Sequence, residues 1–309
     1  MVLKNELSEA EWCDITHFEG NANAFRLLTH QFVGRRPGGF VMTYSTLASI
    51  VKYPFESTAA GNKQKFGFFQ CEKDDYLKIA KELQIKQLSK PGVPLRFARH
   101  PLVYLVEAAD DICYEIMDIE DAHKLKIIST DDTKRLLLSF FDETRQKQIC
   151  EVFDYVTDAN EQIVYLRSSV IGTLVRECVQ AFLANEESIL DGTFNGCLIK
   201  NISPRPLAAY QVCEEYSHQK IYHSKDVVDV ELAGFKVMST LIELMIEAVT
   251  HPDKAYSQLL IKRVSSQYDI NSPTLYGKIM AVLDYISGMT DIYALDLYHK
   301  INGNSLPIV

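Results

Sequence analysis

The chain has 309 residues, 47% of them hydrophobic and 24% charged, enough for one large globular domain or two small ones. A net charge of −9 excludes a surface broadly coated in basic residues for nucleic acid. Seven scattered cysteines without a C-x-x-C pair read as reduced cytoplasmic thiols rather than a disulfide framework or a zinc site. No apolar run approaches the ~20 residues of a membrane span, and the opening residues lack the apolar core of a signal peptide.

In chain order, residues 7–15 form a short acidic segment and residues 21–32 follow a helical pattern. There Asn21 heads an apolar stripe of Phe25, Leu28 and Phe32, as an N-cap or as a functional amide. Arg35 to Gly39 is a loop. A short helix over 43–52 ends before Pro54, with Lys52 in its last turn, where the helix dipole favours a cation. A loop follows with Lys65 and three nearby aromatics, then an amphipathic helix over 72–85 and a Pro- and Gly-bearing connection over 89–99. Further on, residues 131–141, 143–156 and 160–184 read as helices, the last carrying Arg167 and Arg176. Residues 191–197 form a turn. Residues 211–229 look irregular, with His218, His223 and Lys225 marking a small β-hairpin. Residues 230–250 form a long core helix. Ser272-Pro273 opens a helix to about 289, and Thr290-Asp291 caps a last one ending near Gly303. The expected fold is mostly α, with no strand alternation beyond short pieces.

The stretch that organises the chain is 101–121, PLVYLVEAADDICYEIMDIED. Pro101 suits a first helical position. Leu105, Ala108, Ala109, Ile112, Ile116 and Ile119 recur at helical steps as a core stripe. Glu107, Asp110, Tyr114, Asp118 and Asp121 form a second stripe. Seven carboxylates lie between 107 and 121, with no Lys or Arg between 101 and 122. Like charges at this spacing repel, so a divalent cation or a cation-bearing ligand is the economical neutraliser. The bland alternative is an acidic solvated face.

The string EAADDICYEIMD, with its D-D-x-x-Y-x-x-x-D spacing, resembles the last metal-binding helix of HD-domain deoxynucleoside triphosphate triphosphohydrolases, the bacterial dGTPase family. HFEGNANAFRLL is similar to that family's HFEGNAQ segment, TLASIVKYP to its phosphate-binding lysine segment, and KFGFF to K-P-G-Y/F-Y/F, with Phe66 in place of Pro. The resemblance implies a partial HD-type helical bundle with a helical C-terminal extension. Residues 1–125 would be the later part of a catalytic domain and 126–309 a helical region packing on it. It implies hydrolysis of a dNTP, dGTP first among them, to a deoxynucleoside and triphosphate. The roles it implies are metal ligand for Asp110, phosphate contacts for Lys52, Lys65 and Tyr114, the sugar 3′-hydroxyl for Asp118 and the substrate pocket for Asn21. Four residues advance a helix by about 6 Å, close to the step from metal to phosphate to sugar. It also implies a divalent metal (magnesium, manganese or iron), a homo-oligomer and no membrane. A nucleic-acid effector is compatible with the family but not indicated by the charge. The run DYISGMTDIYALDLYHK resembles the family's C-terminal signature and reads as structural.

One part of the pattern is missing. The family takes three metal ligands from a His and a later His-Asp pair upstream of HFEGN. None of the eight histidines here is followed by Asp, and the G-H-P-P-F-G-H stretch is absent. The expectation is a chain matching the C-terminal two-thirds of a dGTPase-type enzyme, inactive by itself unless other ligands are supplied. The alternative is a non-catalytic helical homologue that keeps nucleotide binding or oligomer surfaces.

Overall fold

A computed structural model describes residues 3–304. Fourteen α-helices occupy these residues: α1 (Glu9–Thr16), α2 (Gly20–Thr29), α3 (Tyr44–Ile50), α4 (Lys73–Glu82), α5 (Pro101–Lys124), α6 (Thr130–Leu138), α7 (Glu143–Phe153), α8 (Ala159–Ala184), α9 (Glu186–Leu190), α10 (Pro204–Tyr216), α11 (Lys225–Thr250), α12 (Ala255–Ile261), α13 (Leu275–Ser287) and α14 (Asp291–Ile301). Among the described residues the only β pairing is two isolated bridges, Phe55 with Arg96 and Gln87 with Phe97. The expected all-α class holds. The hairpin expected within 211–229 does not form. α10 runs through to Tyr216, a π-turn covers Ser217–Ile221, and α11 starts at Lys225.

The chain divides into two compact units. One comprises the chain up to Leu47, Tyr53–Phe97 and the chain from Asp229; the other comprises Ala48–Lys52 and Ala98–Val228. The second unit is built on α5 against α8. α8 presents Ile163, Leu166, Val170, Leu174 and Cys178 at helical steps, and α5 presents Tyr104, Ala108, Ile112, Ile116 and Ile119. Each such aliphatic side chain contributes about 1.5–3 kcal/mol on burial, and Ile116→Ala would cost about 2–5 kcal/mol. Ala108, Ile112, Ile116 and Ile119 of the expected stripe are buried, and the core face departs from it at the remaining positions. Leu105 and Ala109 are exposed, while Tyr104, Glu107 and Glu115 turn inward. The inward acids are tolerated because they have partners. Ser217 Oγ donates to Glu115 at 2.6 Å, and Glu120 pairs with Lys124 and with Arg167 at 2.9 Å.

In the first unit, α11, α12, α13 and α14 share a core of Leu241, Met245, Val282, Ile286 and Leu297. Ala22, Phe66, Phe69, Ile279 and Met280 form a second core. Local sequence sets the helix starts. Ser8 and Glu11 form a reciprocal capping box on α1, and Thr290 caps α14 as expected. The cap of α13 is Thr274 rather than Ser272, so Pro273 sits before the helix and not in its first turn. Among the described residues no helix is long and apolar enough to cross a membrane.

Candidate nucleotide-binding site

α5 carries the central residues. His100 caps it, its Nδ1 accepting from Leu102 N at 3.3 Å, and Pro101 follows at the first position. Asp110 and Tyr114 are exposed, Tyr114 by 60%, and Asp118 is half-buried. The three face outward at successive four-residue steps, while Ile112 and Ile116 between them enter the core.

At one end of this face lies Glu107, which is buried. Arg99 forks onto both of its oxygens at 2.8 and 3.1 Å, and Lys52 Nζ lies 3.2 Å from Oε1. Arg99 also donates from Nε to the Lys52 carbonyl at 2.9 Å, so one guanidinium fixes both the backbone and the counter-ion of Lys52. Neutralisation of the acidic helix is therefore partly internal. For Glu107 and Glu120 the cations are protein side chains and not a bound ion. Burial pushes the neighbouring Asp111 carboxyl up to about 6, against the opposing pull of Lys52.

At the other end, Tyr222 Oη donates to Asp118 Oδ2 at 2.8 Å, and the Tyr222 ring stands 6.3 Å from that of Tyr114. Burial raises the Asp118 carboxyl above its ordinary range while the Tyr222 bond lowers it. Tyr222 follows the π-turn, a distortion frequent at functional positions. Sequence reasoning missed both Arg99 and Tyr222: Arg99 lies in the connection ahead of α5, and Tyr222 reaches Asp118 from 104 residues further along the chain. For Arg99 the available signal was a cation just ahead of a run of uncompensated acids.

Asn21 and Lys65 belong to the other unit. Glu19, not Asn21, is the N-cap of α2; it accepts from Asn21 N at 2.7 Å and from Asn21 Nδ2 at 3.0 Å. Lys65 Nζ donates to the same buried carboxylate at 2.7 Å. The structure thus joins Asn21 and Lys65 through Glu19, a residue the sequence reading left out.

Among the described residues no three His, Cys, Asp or Glu side chains come together in a metal-holding arrangement. Asp110 is one exposed carboxylate, and this donor set does not hold a hydrolytic cation by itself. The seven cysteines are free thiols.

Residues 201–300 match the phosphohydrolase-associated domain. A Synechocystis deoxyguanosinetriphosphate triphosphohydrolase-like protein is 34% identical across 97% of this chain and 68% of its own length. One of the same name from Pseudomonas aeruginosa is 30% identical across 98% and 69%, and a Yersinia enterocolitica deoxyguanosinetriphosphate triphosphohydrolase is 26% identical across 93% and 64%. The chain belongs to the deoxyguanosinetriphosphate triphosphohydrolase-like family.

Proposed function

We propose that this chain supplies the nucleotide-holding surface of a dNTP triphosphohydrolase, with dGTP first among the substrates and deoxynucleoside plus triphosphate as products. The observation that carries this reading is the outward face of α5. Asp110, Tyr114 and Asp118 stand in line there, Lys52 is tethered at one end through Arg99 and Glu107, and Tyr222 holds Asp118 at the other. Lys52 and Tyr114 would contact phosphate oxygens by charge-assisted and hydroxyl hydrogen bonds. Asp118, with one oxygen bonded to Tyr222, keeps the other for the sugar 3′-hydroxyl. Asn21 and Lys65 enter on the resemblance of their segments and on their shared partner Glu19. Asp110 would give one carboxylate to a metal centre whose remaining donors come from outside these residues.

A second reading is a nucleotide-binding homologue without turnover. It is favoured by the lack of any three-ligand group among the described residues. Calorimetric titration of the purified chain with dGTP, beside an assay for released triphosphate, tests both. Both readings expect saturable binding that weakens at least tenfold in Lys52→Ala and Tyr114→Ala, and the chain alone is expected to release no triphosphate. Absence of dGTP binding would refute the nucleotide-holding role. Triphosphate release abolished by Asp110→Ala would refute the second reading.

A further inference from the structure

In the unit built on α5 and α8, a groove of about 570 Å³ runs beside the starts of α7 and α10. No lining residue lies on α5. Arg145, Arg176 and Arg205 line it, in a chain whose net charge is −9. Among the described residues each guanidinium donates to a neutral acceptor. Arg145 Nη1 bonds Gln148 Oε1 at 3.1 Å, Arg176 Nη2 bonds Thr173 Oγ1 at 3.0 Å, and Arg205 Nη1 bonds the Phe141 carbonyl at 3.2 Å.

Two carboxylates also line the groove, and both are already committed to backbone. Asp142 caps α7, accepting from Arg145 N at 2.8 Å. Glu177 Oε2 accepts from the Ser203 N–H at 3.0 Å, at the start of α10. Pro204 and Pro206 leave the first turn of α10 short of N–H donors, and Asp142 and Glu143 stand at the start of α7, so the positive charge of the groove is that of the three guanidiniums. Ser168 and Ser169 contribute further hydroxyls. The two aromatic residues, Phe140 and Phe141, are only 2% and 6% exposed and offer no ring face on which a base could stack.

We propose that this groove binds a polyphosphate anion through Arg145, Arg176 and Arg205, reading the phosphate chain and not a base. Guanidinium forks match phosphate oxygens bidentately. The volume lies within the range of small-ligand sites. Free triphosphate and the triphosphate tail of a nucleotide share this chemistry.

The test is calorimetric titration with inorganic triphosphate of the chain carrying Lys52→Ala and Tyr114→Ala, which leaves the groove intact and removes two of the phosphate contacts proposed above. Saturable binding is expected, weakening as salt rises. Each of Arg145→Ala, Arg176→Ala and Arg205→Ala should weaken it about tenfold, and the triple variant should abolish it. The arginines are exposed, so melting curves should not move. Arg176→Lys, which keeps the charge but loses the fork, should fall between parent and alanine. GTP should bind within about threefold of triphosphate, since the base is not read. Triphosphate binding unchanged in the triple variant would overturn the proposal. So would a tenfold preference for GTP, or binding of a single-stranded oligonucleotide with none of triphosphate.

Discussion

Arg26 and Asp284, 258 residues apart in the chain, are joined side to side: Nε donates to Oδ1 and Nη2 to Oδ2, each at 2.7 Å. Both are almost fully buried, at 4% and 3% exposure. Arg26 Nη1 also pairs with buried Glu72. Arg26 stands in HFEGNANAFR and Asp284 in DYISGMTD, so two of the recognised segments of the chain meet in one ion pair. This gives the C-terminal signature its structural role, which Tyr285 extends by donating to the Arg263 carbonyl at 3.1 Å.

Arg26→Met should destabilise the chain by about 3–5 kcal/mol, because it leaves two buried carboxylates without their cation. Asp284→Asn should cost less, since Glu72 continues to balance Arg26. Urea denaturation of the two variants checks the order. A loss below about 1 kcal/mol for Arg26→Met would show that the three groups are not a unit.

Asp14 predicts a pH dependence of opposite sense to the usual carboxylate. Burial pushes its carboxyl up to about 6, with Glu72 adding repulsion, despite bonds from Tyr276 Oη at 2.6 Å and Gln70 N at 2.7 Å to Oδ2. Its other oxygen has no hydrogen-bond partner. An acid raised from its ordinary value of about 3.9 stabilises the fold while protonated. That contribution is full below about pH 4, is lost as pH climbs to about 6, and is constant above. Asp14→Asn cannot ionise. Its stability relative to the parent should therefore rise by about 2–3 kcal/mol between pH 4 and pH 7. A difference independent of pH would show that the Asp14 carboxylate is not disfavoured by folding.

Divalent metal should be held weakly by the 309 residues alone. The motive is one exposed carboxylate, Asp110, with no group of three donors among the described residues. Elemental analysis after dialysis should find well under one manganese or iron per chain. A tightly held stoichiometric ion, lost in Asp110→Ala, would contradict this.

The helices were legible in sequence wherever a single face is buried. α5, α8, α13 and α14 follow from apolar steps of three and four, with the cap of α14 at Thr290. The core stripe of α5 held at Ala108, Ile112, Ile116 and Ile119, and what failed was its first turns, because periodicity scores Leu105 as core and Glu107 as surface. The structure reverses both, since Arg99 and Lys52 satisfy a buried Glu107 from outside the helix. The order at 211–229 was missed for a similar reason. Its helical turns bury Cys213, Ser217 and Ile221 between polar residues, and hydrogen bonds to Glu115 and Asp118 fix it from another helix. Partners distant in sequence carry no local pattern.

Tyr222 sharpens the expectation for the sugar. Its hydroxyl occupies Asp118 Oδ2 at 2.8 Å, which orients the carboxylate along the outward face of α5. With a nucleotide anchored by phosphates near Lys52 and Tyr114, the 3′-hydroxyl would donate to the remaining oxygen. Asp118→Ala should then weaken dGTP binding by one to two orders of magnitude, matching about 1.5–3 kcal/mol for a bond to a charged group. Tyr222→Phe leaves the carboxylate but frees its rotation, and should cost about 1 kcal/mol, roughly fivefold. Neither change should alter binding of the 3′-deoxy analogue, which lacks the donor. In the Asp118→Ala background, Tyr222→Phe should have no further effect on dGTP, because the residue acts only through Asp118. Titrating the parent, both single variants and the double variant with dGTP and the 3′-deoxy analogue decides the matter. If Asp118→Ala still separates the two nucleotides as strongly as the parent does, the sugar lies elsewhere and α5 is read in the wrong direction.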